Sequence, residues 1–226
     1  MNGLSVLFLG KEGDAHTRQA IEFLKEHAGS VEFYTGTRLQ PLPVAQSLKA
    51  WDLVVSYLSP WVVPPWLLAR AEVAAINFHP GPPEYPGIGC TNFAIYNGEK
   101  EFGVTCHHME PRVDRGRIIA VRRFPLQVSD TVYSLTHRCY EHIFMLFKEV
   151  MAGVLAGKPL PEPAEQWKRV PYTRAELDAL CAIKPDMDAQ EIQRRVRATS
   201  FPGMPGAYVV LGGEKFLAQK SVHSKD

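Results

Sequence analysis

Ser5-Val-Leu-Phe-Leu-Gly-Lys-Glu-Gly-Asp-Ala-His-Thr-Arg-Gln-Ala-Ile-Glu-Phe-Leu-Lys-Glu-His27 holds two different periods in one stretch. Residues 5–9 are an unbroken apolar run stopped by Gly10, which reads as a buried strand. Beyond Gly13, Ala20, Ile21, Phe23 and Leu24 recur at helical spacing behind Asp14, a residue suited to the N-cap. A buried strand feeding such a helix begins a β-α-β unit.

Outward from there the alternation continues. Residues 31–34 predict a second strand and residues 52–56 a third, after a helix-like segment at 44–51. A Pro-started helical segment at 66–71 precedes a fourth strand at 74–77. This rhythm predicts an α/β fold, a mostly parallel sheet covered on both faces. The pattern then changes to extended runs at 103–109 and 117–124 around a charged loop, 110–116, and to a long helix from Thr131 to about Leu155, ended by Gly157. Pro159, Pro161 and Pro163 suggest a boundary, giving a body of residues 1–160 and an appendage of residues 161–226. Two short helices are expected in the appendage. The second has Asp188 and Glu191 at capping-box spacing, and a β-hairpin turning at Gly212-Gly213 closes the chain.

Composition sets the class. The chain has 226 residues, 46% hydrophobic and 22% charged, with a formal net charge of +1. It is long enough to bury a core without a disulfide or metal, and it lacks the basic field of a nucleic-acid or anionic-membrane binder. Cys90, Cys106, Cys139 and Cys181 form no C-x-x-C pair, which fits reduced thiols in a cytoplasmic protein. The N-terminus does not read as a signal peptide, and no apolar run is long enough to span a membrane.

The fourth strand ends in Asn77-Phe-His79, and the next ten residues, 80–89, hold four prolines and three glycines. Residues i and i+2 of a strand face the same way, so an amide donor and an imidazole can share one reacting group. Ligands of open α/β sheets bind beyond the C-terminal strand ends, where this pair falls. Spacing alone equally fits a turn cap and a packed loop histidine. Asp114, in the charged loop, could orient His79, or simply pair with Arg115 or Arg117. Cys106-His107-His108 places two potential metal ligands on one face, where a catalytic zinc needs three, so no metal is expected. Gly10-Lys-Glu-Gly13 reads as a tight turn, and Arg194-Arg195-x-Arg197 as a solvated helix face.

Taken together, Asn77-Phe-His79-Pro, the loop ending Tyr85-Pro-Gly, Gly103-Val-Thr-x-His107 and Val113-Asp114-x-Gly116-x-Ile118-Ile resemble the folate-dependent formyltransferases. That group includes glycinamide ribonucleotide transformylase, methionyl-tRNA formyltransferase and the nucleotide-sugar N-formyltransferases. The resemblance runs from the first strand to about Pro159 and implies a Rossmann-like formyltransferase fold. It also implies 10-formyltetrahydrofolate as donor, a primary amine as acceptor, and Asn77, His79 and Asp114 as catalytic residues. Folate contacts would come from Ser56, Tyr57 and Leu58 and from Pro111, Arg112, Val113 and Asp114. Gly10, Pro83, Tyr85 and Tyr208 are candidates for the acceptor.

The loop departs from the more familiar His-Pro-Ser-Leu-Leu-Pro, reading Gly81-Pro82-Pro83-Glu84 after His79-Pro80. It looks most like the sugar-modifying branch, which implies a nucleotide-linked amino sugar such as a dTDP- or GDP-4-amino-4,6-dideoxyhexose. Lipopolysaccharide or O-antigen biosynthesis is the setting that this suggests. Residues 194–208 resemble a segment of methionyl-tRNA formyltransferase, but the near-neutral charge and a chain ending at Asp226 weigh against a tRNA acceptor. A formyltetrahydrofolate hydrolase and a folate- or nucleotide-binding module are the competing expectations. The terminal hairpin could build a homodimer.

Overall fold

Residues 3–45 and 48–218 are described by the structure, a computed structural model. β1 (Ser5–Lys11) is the opening apolar run, five of its seven residues buried. α1 (Ala15–His27) starts at Asp14, whose carboxylate accepts the Thr17 N–H at 2.7 Å. There follow β2 (Ser30–Gly36), β3 (Trp51–Tyr57), α2 (Pro65–Leu68), β4 (Ala71–His79), α3 (Cys90–Asn97), β5 (Glu101–His108), β6 (Ile118–Pro125) and α4 (Val132–Leu155). All six strands join one sheet in the order β2-β1-β3-β4-β5-β6. The first four run parallel, and β5 is antiparallel to both its neighbours. The chain steps out to β2 and returns past β1 to β3, so the topological switch point lies between β1 and β3.

Residues 44–51 do not make the expected helix. Trp51 would have completed its apolar face, but it opens β3 instead, opposite Ala71, with its N–H bonded to the Arg70 carbonyl at 2.9 Å. Strand pairing there overrides local periodicity. α2 has only four residues. In consequence the two faces of the sheet are unlike. On the first, Val6, Phe8, Val55, Tyr57, Ile76, Phe78, Val104 and Cys106 pack under α1 and α4 in the main core. Phe147 of α4 sits among Phe8, Tyr57 and Phe78, with ring centroids 5.1–6.2 Å away. On the second, the smaller cluster of Leu7, Leu9, Val54, Val63 and Leu67 lies over β1 and β3, with no long helix above it. Strand alternation turns Asn77, His79, Thr105 and His107 to this second face, along the β4–β5 seam.

α4 matches expectation: Thr131 and Ser134 close a capping box, and Leu135, Cys139, Ile143, Leu146 and Val150 are buried along one stripe. α3 was not anticipated, because its apolar residues show almost no helical periodicity.

Past Pro159 the chain returns over the second face. The Lys168 N–H donates to the Pro83 carbonyl at 2.9 Å, and the Tyr172 N–H to the Pro86 carbonyl at 2.8 Å. α5 (Arg174–Cys181), β7 (Ala182–Ile183), α6 (Ala189–Thr199), β8 (Tyr208–Leu211) and β9 (Glu214–Leu217) complete the described chain. The last two strands form the expected hairpin, and β8 also pairs with β7, giving a three-stranded sheet. Gly212 and Gly213 have φ of 60° and 87°, as its two-residue turn requires.

Asp188 caps α6, but Glu191 turns to Tyr96 and Arg195 rather than closing the box. Of Arg194, Arg195 and Arg197, the first and last are exposed and Arg195 is half-buried. They donate to the backbone carbonyls of Tyr96, Ala182 and Asp130, fastening α6 to its surroundings.

Candidate active site

Four polar side chains converge on the β4–β5 seam. Asn77 stands opposite His107, and His79 opposite Thr105. The 110–117 loop then folds back to bring Asp114 beside both histidines. It can close this tightly because residue 116 is glycine, where a Cβ would lie 1.9 Å from the His108 carbonyl oxygen.

Asp114 is the hub. Its Oδ2 accepts the Gly87 N–H at 2.7 Å and lies 3.3 Å from His79 Nδ1, while Oδ1 lies 3.3 Å from His107 Nε2. Burial raises the carboxyl's pKa, but the charge of His79, the hydrogen bond and charge of His107 and the Gly87 amide more than offset it, leaving it at about 2. Asp114 is therefore a buried carboxylate at neutral pH.

His79 Nε2 stands 3.0 Å from the Tyr85 carbonyl oxygen. Both of its ring nitrogens thus face acceptors. His107 Nδ1 donates to the His108 carbonyl at 2.7 Å. Its Nε2 has two neighbours with opposed demands, the Asn77 Nδ2 at 3.0 Å and the Asp114 carboxylate. Neutral His107 accepts from the Asn77 amide.

The expected folate segments border this cluster. Ser56 pairs with Asn77, and Leu58 follows the end of β3. Leu58 and Asp114, at φ 51° and 48°, are the only non-glycine residues with positive φ among the described residues. That backbone is held against its local preference, and such strain concentrates at functional sites. Pro111, Arg112 and Val113 form the exposed part of the Asp114 loop.

Gly10 pairs with Tyr57, and a Cβ there would meet the Thr17 methyl at 2.6 Å. Pro83 meets the 160–172 segment through its carbonyl. Tyr85 reaches the site by its backbone: its ring is buried and its hydroxyl donates to Glu99 at 2.6 Å. Tyr208 lies in the small sheet, with the Lys215 ammonium 3.5 Å above its ring centroid. Cys106 is sealed in the core of the opposite face, away from His79 and His107.

His107 lies within the sequence motif without a role there, and its place opposite Asn77 in the β4–β5 ladder is what brings it into the site. Trp167 carried no signal. It presents its ring to both histidines, at centroid distances of 5.9 Å to His79 and 5.1 Å to His107.

An open α/β sheet with an Asn–His–Asp cluster at a strand seam defines an enzyme site built for acid–base and oxyanion chemistry. Residues 19–150 match the family model described as Formyl transferase, and the chain belongs to that family. It is 29% identical over 198 residues to the GDP-perosamine N-formyltransferase of Brucella melitensis, covering 87% of this chain and 71% of the relative. Methionyl-tRNA formyltransferases are relatives too; the chain spans 57% of the one from Myxococcus xanthus, at 29% identity over 79% of its own length. The fold matches a 4-N formyltransferase from Francisella tularensis (TM-score 0.79, 18% identity, 96% and 97% of the two chains). It also matches the N-formyltransferase from Helicobacter canadensis in complex with folinic acid and dTDP-3-aminofucose (TM-score 0.65, 19% identity, 86% and 80%).

Proposed function

We propose that this formyltransferase moves the formyl group of 10-formyltetrahydrofolate to the primary amine of a nucleotide-linked amino sugar, with Asn77, His79 and Asp114 as its catalytic residues. The observation that carries this is the buried, ionised Asp114 bridging His79 and His107 beside the Asn77 amide. The folate supplies an activated formyl carbon and an amine leaving group. Ser56–Leu58 and the 111–114 loop would hold it, and the positive φ of Leu58 and Asp114 in those two segments supports this assignment.

As the acceptor nitrogen bonds to the formyl carbon, charge gathers on the formyl oxygen. The Asn77 amide and the His79 imidazolium stabilise that charge, with His79 releasing the Tyr85 carbonyl to do so. Asp114 orients His79 and, through water, helps remove the proton that the attacking nitrogen loses. That proton passes to the departing folate nitrogen as its bond to the formyl carbon breaks, which restores a planar formamide on the acceptor and leaves tetrahydrofolate.

The sugar acceptor is supported by the GDP-perosamine and dTDP-3-aminofucose named for the relatives. A net charge of +1 gives little purchase on tRNA. The same reading has a catalytic body at residues 1–160 and a C-terminal appendage. Gly10, Pro83, Tyr85 and Tyr208 remain the candidate acceptor contacts. The enzyme is placed in the cytoplasm, which four unpaired cysteines support, and in cell-surface polysaccharide synthesis. It would act as a homodimer through β9. That strand pairs on one side only among the described residues, and Val210, Leu211, Phe216 and Leu217 beside it are each about half exposed.

Mass spectrometry of aminated GDP- and dTDP-sugars incubated with 10-formyltetrahydrofolate tests this. One formyl group gained by one sugar and lost with His79→Ala is the expected result. Folate consumed without any formylated sugar would instead mean hydrolysis.

A further inference from the structure

The 160–172 segment lies across both loops that build the site. Its backbone bonds the proline-rich loop at Pro83 and Pro86, and the Ile88 N–H returns a bond to the Tyr172 carbonyl at 3.2 Å. Arg117 and Arg123 hold it by ion pairs to Glu162 and Glu165, each 2.7 Å. These pairs are largely exposed and add little by themselves. Tyr172 is anchored more firmly, stacked on Phe93 at 3.8 Å between ring centroids, with the Arg169 guanidinium 3.3 Å from its own.

Between these anchors Trp167 turns inward. Its indole N–H donates to the Gly116 carbonyl at 2.8 Å, in the loop that carries Asp114. Its ring stands 76° to the plane of His79 and 83° to that of His107. A single side chain thus touches both imidazoles and ties their cover to the loop bearing their shared carboxylate.

We propose that Trp167 is a positioning residue: its edge-on ring fixes the planes of His79 and His107 against Asp114 and keeps water from the hydrogen bonds between them. This rests on the proposed catalytic cluster. Edge-on aromatic pairing and water exclusion each strengthen such a network. A shift of about 1 Å in a reacting group can cost on the order of 100-fold in rate.

The test compares wild type with Trp167→Ala, Trp167→Leu and Trp167→Phe. Three readouts are taken: binding of folinic acid by calorimetry, the imidazole 15N spectra of His79 and His107, and the formylation rate of an accepted amino sugar. Trp167→Leu fills most of the volume, so it decides the matter if Trp167→Ala does not fold. The expected result for Leu is folinic acid binding within about threefold, disturbed imidazole spectra for both histidines, and kcat down roughly 10- to 100-fold at near-constant KM. Phe should restore much of both. Wild-type spectra and kcat in the Leu variant would overturn the inference. If no amine is formylated even by wild type, the reaction assigned to the site fails, while the spectra still decide whether Trp167 orders the two histidines.

Discussion

At the level of single residues, the proposed chemistry rests on how few groups satisfy Asp114. Asp114→Asn keeps the shape but removes the charge that His79 and His107 share. The rate of formyl transfer should fall by about 100-fold or more, measured as kcat at saturating folate. Its stability effect has a defined sign. The native carboxyl titrates at about 2, below the roughly 3.9 of an unfolded chain. Its contribution is therefore complete above about pH 4 and is lost as the pH falls toward 2. Chemical denaturation at pH 7 and pH 3 should show wild type losing more stability than Asp114→Asn.

Gly81 is a second pressure point. A Cβ at that position would sit 2.7 Å from His79 Nε2 and 2.9 Å from both the Tyr85 carbonyl and the Cys90 Cβ. Gly81→Ala should push His79 off the Tyr85 carbonyl and reduce kcat about tenfold or more, with folinic acid binding little changed. Unaltered kcat in a folded variant would show that the His79–Tyr85 bond has no part in positioning the ring. This departure from the familiar serine was visible in the sequence. What it accommodates was not, because contact between residues 79, 81 and 85 depends on the path of a loop.

Among the elements, β4 and the Asp114 loop were the most legible. Asn77-x-His79 on one strand face follows from the two-residue period alone, and the loop followed from two extended runs flanking a charged stretch. Other elements were illegible for physical reasons. The 44–51 segment has helical spacing, but Trp51 is claimed by the β3–β4 ladder, a contact remote in sequence. α3 is buried almost all round, so its periodicity vanishes. The 160–172 segment has no regular structure of its own and is defined by what it crosses. Trp167 was therefore invisible beforehand, and the asymmetry that leaves room for a site on the second face was hidden with the missing helix. α4 offers a check at this level. Thr131→Ala removes its capping box and should cost about 1 kcal/mol in urea unfolding, leaving folate binding intact.

Across the whole molecule, one face of the sheet carries the main core and the other carries the proposed site. Phe147 sits at 0% exposure among five aromatic partners, Phe8, Phe23, Tyr57, Phe78 and Phe144. Phe147→Ala should destabilise the fold by about 3–5 kcal/mol, seen as a lower denaturation midpoint, without moving the pH profile of activity. The second face exchanges that packing for buried polar groups held by loops. Such a face stays ordered only if every group is paired, which is why the Asp114 network is so closely satisfied.

The most direct measurement of the central claim is formylation of aminated GDP- and dTDP-sugars by wild type, Asn77→Ala, His79→Ala and Asp114→Asn, followed by mass spectrometry beside folinic acid binding. The prediction is that one sugar gains a formyl group with wild type, and that each variant loses about 100-fold or more in rate while still binding folinic acid. A variant that binds folinic acid and formylates at the wild-type rate would contradict the role given to this cluster.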